Sequence, residues 1–217
     1  MDAASLEMDL PVVHLITDRR LARDLAARAD AALVGLPPGR AAIHLREKDL
    51  GGAALLALAR ELAAVCRRHG QLLVVNDRLD VALAADADGV HLPSAGVPPA
   101  DARRLVGPDR LVGVSCHSAA DVARARAGGA DFAFFSPVHD TPSKREYGPP
   151  LGVAALREAA ALGLPLVALG GMTAENAPEA YAAGARGVAA IRAWLAGSDP
   201  AGAVRALLPW QGPRRSP

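Results

Sequence analysis

The polar side chains of this chain that could move a proton or hold an anion gather where short apolar runs end. His14, Thr17 and Asp18 close one run, and His44, Arg46, Glu47 and Lys48 close the next. Asn76 and Asp77 end a third, His91 sits in a fourth, and Ser115, Cys116 and His117 end a fifth. Ser136, His139 and Lys144 follow a sixth. Five of the six histidines belong to this set, and imidazole is the side chain suited to acid and base work near neutral pH. Arg46 and Lys48 are costly to bury beside an apolar strand unless an anion meets them. A second kind of chemistry is written at Gly170-Gly171, which follows the apolar run Leu164 to Leu169. Two glycines after a strand let backbone N–H groups approach an anion closely, and a helix start behind them adds unpaired donors. Thr173 is the expected N-cap of that helix.

These residues need a frame that brings many strand ends to one face. Eight short apolar runs supply it: Val12–Thr17, Ala42–Arg46, Leu72–Asn76, Gly89–Leu92, Leu111–His117, Phe132–Pro137, Leu164–Leu169 and Gly187–Ile191. Amphipathic stretches separate them: Arg20–Leu33, Ala53–His69, Leu79–Ala85, Pro99–Val106, Ala119–Ala127, Leu151–Ala160, Ala174–Ala183 and Pro200–Leu208. Strands that alternate with helices imply a parallel sheet, and eight such units imply a closed α/β barrel, a single (β/α)8 TIM barrel domain. The barrel is expected over about residues 11–209, with a tail after residue 210. Before three strands the chain reads Ala87-Asp88-Gly89, Gly129-Ala130-Asp131 and Gly184-Ala185-Arg186, which are helix-to-strand turns. In such a barrel the loops after strands seven and eight are the usual phosphate site, so Gly170, Gly171, Ala190 and Ile191 are its expected lining. The polar stretch 139–150 is a lid candidate.

Composition excludes several classes. Lys and Arg number 24 against 23 Asp and Glu, so no single-sign field calls for nucleic acid. Two cysteines, Cys66 and Cys116, with no CxxC spacing read as reduced thiols. No apolar run reaches the length of a membrane span, and the N-terminal stretch lacks a signal-type core, so a cytoplasmic protein is expected. Side-chain alternation places His44, Arg46 and Lys48 on one face, and Gly113, Ser115 and His117 on one face. His14 and His91 are read as packed strand residues with a hydrogen bond, and Cys116 as core. Asp77 is read either as a metal ligand or as a partner of Arg78.

The motifs HLITD (14–18), IHLREK (43–48), VVNDRLDVAL (74–83), DGVHLPS (88–94), GVSCHS (113–118), GADFAFFSPVHDTPSK (129–144) and ALGGM (168–172) resemble, in order and spacing, the thiamine phosphate synthase/TenI superfamily. The resemblance implies a barrel of thiamin biosynthesis, often dimeric, acting on a small thiazole phosphate. In its synthase branch, a hydroxymethylpyrimidine pyrophosphate is joined to a thiazole phosphate with magnesium. Arg46, Lys48, Asn76, Asp77, Ser115 and Lys144 match that branch, with Asp77 as a magnesium ligand. His44 stands where it has Gln, and Gly96 where it has a second acidic ligand; Asp18 is a candidate substitute. In the TenI branch, thiazole tautomerases shift a proton without metal. The IHxRE, LPS, Ser-x-His-Ser and Gly-Gly-Met patterns are similar to that branch, and His117 aligns with its acid/base. The expectation is a thiazole tautomerase needing no cofactor, with His117 moving the proton, His44 or Glu47 assisting, and the phosphate held by Arg46, Lys144 and the Gly170–Gly171 backbone. A magnesium-dependent synthase and a non-catalytic regulator that binds a thiazole or thiamin phosphate are the alternatives.

Overall fold

Alternation along each strand divides the protein into two apolar layers. A computed structural model describes residues 10–141 and 148–209. Its strands are β1 (Val13–Ile16), β2 (Ala41–Leu45), β3 (Leu72–Asn76), β4 (Gly89–Leu92), β5 (Leu111–Cys116), β6 (Phe132–Phe135), β7 (Leu166–Leu169) and β8 (Gly187–Ala190). All pair in parallel with their sequence neighbours, and β8 pairs with β1 to close a (β/α)8 barrel. One set of residues, among them Val13, Leu15, Ile43, Leu45, Leu73, Val75, Val90 and Leu92, packs outward against the helices. The other set turns into the barrel, where Ile16, Leu111, Phe132, Phe134, Val167 and Ala189 form a separate inner cluster.

The helices are α1 (Leu25–Leu33), α2 (Gly52–Arg68), α3 (Leu79–Ala84), α4 (Pro99–Val106), α5 (Ala119–Ala127), α6 (Gly152–Ala160), α7 (Ala177–Ala182), α8 (Arg192–Leu195) and α9 (Pro200–Ala206). Two starts differ from the sequence expectation by more than one residue. The first helix begins at Leu25, because the Asp24 side chain caps it by accepting the Ala27 N–H at 2.8 Å. The seventh begins at Ala177 and not after Thr173. Asn176 Oδ1 accepts the Thr173 N–H and its Nδ2 donates to Gly171 O, both at 2.8 Å, so a side-chain-closed turn comes first. The short α8 was not expected. It seats Trp194, fully buried, whose indole N–H donates to Ile16 O across the β8–β1 seam at 3.1 Å.

The aspartates of the two strand-preceding turns do more than end a helix. Asp88 N–H donates to Leu73 O while Asp88 Oδ2 accepts the Leu73 N–H at 2.7 Å. Asp131 repeats this reciprocal clamp on Val112 at 2.9 and 2.6 Å. Each clamp satisfies the backbone groups of the second residue of a neighbouring strand, which holds the register that aims the later side chains.

Candidate active site

The C-terminal ends of the strands form one mouth with two unlike sides. On the side of β7 and β8 the mouth is lined by the backbone itself. Gly170 and Gly171 have φ of +101° and +61°, a region that L side chains rarely adopt. A Cβ on Gly170 would lie 2.8 Å from Pro137, and one on Gly171 2.6 Å from Asp140 O, so the loop after β6 closes directly over them. Val138 N–H donates to Leu169 O and His139 N–H to Gly170 O, which fixes that loop. The N–H groups of Gly171 and Met172 have no hydrogen-bond partner among the described residues. They border a cavity of about 620 Å³, also lined by Ser136, Ala190, Ile191 and Arg192. Unpaired N–H groups at a glycine pair, with no room for side chains, make an anion cradle.

The other side of the mouth is built from side chains. His14, His44 and His91 lie inside the barrel, each at most 2% exposed, against Phe132 and Phe134. His14 Nδ1 is 2.8 Å from His44 Nε2, and His14 Nε2 is 3.1 Å from Pro11 O. His91 Nε2 is 3.0 Å from Ser115 Oγ. Burial lowers the His14 pKa to about 4 and that of His91 to about 3, and pushes His44 well below the ordinary range. Above this layer Arg46 is exposed, with its N–H anchored on Thr17 Oγ1 at 2.9 Å. Lys48 is exposed and Asn76 half-buried at the end of β3. Next to it Asp77 adopts φ +65° and donates its N–H to His91 O at 2.9 Å.

His117 stands between the two sides. Its Nδ1 lies 2.7 Å from Ser136 O, and a carbonyl can only accept, so Nδ1 carries a proton and the lone pair of the neutral ring is on Nε2. Its backbone N–H donates to Asp121 Oδ2. Ser115 is half-buried one pleat below, and Cys116, between them, is fully buried in the outer layer. Thus His117, Ser115, His44, Asn76, Asp77 and Arg46 share the mouth. Glu47 does not join them: its carboxylate accepts the Arg19 N–H at 3.1 Å and faces the Arg19 guanidinium. Alternation turns Glu47 away from the axis, so it fastens a loop and does not assist His117. Lys144 lies outside the described residues, as does the middle of the 139–150 stretch.

Among the described residues no three His, Cys, Asp or Glu side chains converge as a metal site. Both oxygens of Asp18, the candidate second carboxylate, accept from the exposed Arg20 guanidinium at 2.8 Å. Gly96 closes a tight turn onto Pro93 O. Asp77 forms no salt bridge among the described residues and offers a single hard oxygen donor group. That donor set fits magnesium, which keeps several waters and is commonly held by one or two carboxylates plus substrate phosphates.

Sequence reasoning passed over the partners that set these side chains. The carbonyls of Ser136 and Pro11 belong to the backbone and leave no mark in residue type, and the motifs that contain Thr17 and the two inward phenylalanines do not say what those side chains face. The even positions of FAFF (132–135) were the one available signal, since they face the same way as Ser115 and His117.

The model of the thiamine monophosphate synthase family matches residues 13–194. The chain is 46% identical over 180 residues to a thiamine-phosphate synthase of Methanoculleus marisnigri, covering 82% of this chain and 85% of that one. It is 44% identical over 183 residues to a thiamine-phosphate synthase of Roseiflexus castenholzii, covering 83% and 79%. A thiamine phosphate pyrophosphorylase from Pyrococcus furiosus superposes with a TM-score of 0.81 at 31% identity, over 92% of this chain and 94% of that one. These relatives overturn the expectation of a thiazole tautomerase, an isomerase. They carry the name of the synthase, a transferase, at identities that span the whole barrel. The resemblance of the LPS and Ser-x-His-Ser stretches to the TenI branch was local, and the rest of the chain outweighs it.

Proposed function

The chain belongs to the thiamine monophosphate synthase family, and from that premise we propose that it is a thiamine-phosphate synthase. It joins hydroxymethylpyrimidine pyrophosphate to a thiazole phosphate and releases pyrophosphate. The observation that carries this reading is the two-sided mouth. A reaction on one phosphorylated thiazole needs one anion site. Here the Gly170–Gly171 cradle is matched, across the mouth, by exposed Arg46 and Lys48 beside Asn76 and Asp77.

The cradle, with Ala190 and Ile191, holds the thiazole phosphate through backbone N–H groups. Arg46, Lys48 and Lys144 receive the pyrophosphate end of the second substrate, and Asn76 and Ser115 orient its ring. His44 forms the floor, and His117 offers an acceptor at Nε2 between the two rings. As the carbon–nitrogen bond between the rings forms, the carbon–oxygen bond to pyrophosphate breaks and the leaving group takes the electron pair. The cations of Arg46 and Lys48 then face a growing negative charge, and preorganised charge of this kind is usually the largest contribution to such a rate. Asp77 would hold magnesium, which when bound neutralises charge on the departing pyrophosphate.

The test is turnover of both substrates with magnesium, read as thiamin phosphate and pyrophosphate. Equal amounts of the two products are expected. An absence of thiamin phosphate at high enzyme concentration overturns the reading.

A further inference from the structure

The hydrogen-bond partners of the inner histidines assign their protons. Pro11 O can only accept, so His14 Nε2, 3.1 Å away, carries a hydrogen. The ring is fully enclosed and no carboxylate touches it among the described residues, so it is neutral and its Nδ1 keeps a lone pair. That lone pair faces His44 Nε2 at 2.8 Å, so His44 Nε2 must donate. His44 is as deeply buried and neutral for the same reason, which leaves its own lone pair on Nδ1. The opposite tautomer of His44 would set two lone pairs against each other at 2.8 Å inside a dry barrel. Phe134, 4.8 Å from the His44 ring, and Phe132, 5.4 Å from that of His14, hold the rings in place. His44 Nδ1 makes no hydrogen bond among the described residues, and unlike Nδ1 of His91 it is not sealed from solvent.

We infer that His14 is a positioning residue that locks His44 as its Nε2–H tautomer, so that the floor of the site presents a hydrogen-bond acceptor and selects a substrate ring carrying a donor there. A lone histidine could exchange tautomers and accept a donor or an acceptor alike; the relay from Pro11 through His14 removes that freedom. The identity of the donor rests on the synthase reading: it is the amino group of the pyrimidine. The tautomer itself does not rest on that reading.

Two-bond ¹H–¹⁵N correlation on the ¹⁵N-labelled full chain at neutral pH, without substrate, tests the lock. His14→Phe and His44→Phe spectra assign the signals. Unprotonated Nδ1 and protonated Nε2 are expected for both rings; a His44 ring protonated at Nδ1, or a mixture, overturns the inference whether or not the protein makes thiamin phosphate. In steady-state kinetics, His14→Phe should raise KM for the pyrimidine substrate roughly tenfold, the loss of about one hydrogen bond, with kcat and the thiazole KM within about twofold. His14→Gln, whose amide oxygen can accept from His44, should recover part of that loss. Equal damage to both substrates' KM values would mean that His14 only supports the barrel.

Discussion

The two sides of the barrel mouth are built by different means. The β7–β8 side has backbone N–H groups, two glycines in the left-handed region and a loop laid so close that no side chain fits. The β2–β5 side has imidazoles, a hydroxyl, an amide, a carboxylate and two cations; His44 and Ser115 each meet a histidine from a neighbouring strand, and the Arg46 backbone is anchored on Thr17. A backbone cradle is indifferent to pH and to most substitutions of its neighbours. A side-chain floor can be tuned, and it fails whenever one partner is removed. Under the proposed synthase reaction the first side can stay constant while the second is adjusted.

The largest effect should come from Asp77→Asn, which removes the only unpaired carboxylate of the side-chain half among the described residues. Turnover with magnesium should fall by roughly 10²–10³-fold while KM for the thiazole phosphate stays put, if loss of charge stabilisation at the leaving group is typical. Initial rates over both substrate concentrations check this. A fall in thiazole binding instead would erase the division between the two sides.

Acid comes next, and on the histidine side it acts through the buried imidazoles. His14 titrates near 4 and His91 near 3 in the folded protein, against an ordinary value of 6.5. Between those values the unfolded chain takes up protons that the folded one refuses. Stability is therefore full above about pH 6.5 and falls as pH drops towards 4 and then 3. His14 by itself accounts for about 3 kcal/mol of that fall. Urea unfolding at a series of pH values reads the slope, which His14→Phe should flatten.

Gly171→Ala should injure the other side. Its Cβ would sit 2.6 Å from Asp140 O at a φ of +61°. We expect KM for the thiazole phosphate to rise by roughly tenfold or more and stability to drop by about 1–3 kcal/mol, with the pyrimidine KM little changed. Calorimetry with each substrate alone separates the two. The smallest effect belongs to a pair on neither side. Arg104 and Asp101 face each other one turn apart on α4, both well exposed. Arg104→Ala should change stability by less than about 0.5 kcal/mol and leave both KM values alone, as thermal melts and rates will show.

Much of the cradle could be read in the sequence. Gly170-Gly171 after an apolar run states its own backbone conformation, because few residues besides glycine adopt those angles. His117 and Asp77 were legible as strand-end residues, and eight alternating units implied the closed barrel. The other half was less legible. Glu47 lies between Arg46 and Lys48 in sequence, yet the pleat turns it outward to Arg19. Thr173 has the composition of an N-cap, but Asn176 claims its N–H and delays the helix. The branch of the family was misread for a related reason: a few strand-end motifs were weighed above the remainder of the chain.

The sequence by itself determined the periods of the strands and helices, the closed parallel barrel and the place of the glycine turn. Those follow from local patterns of burial and from φ angles that belong to single residues. Only the tertiary structure decided which nitrogen of His14, His44 and His117 faces an acceptor and that Asp77 has no ion-pair partner among the described residues. His14 and His44 are 30 residues apart and meet only because β1 and β2 pair with Ile16 opposite His44. A proton's position is set by the atom facing it, and that atom is chosen by the register between strands.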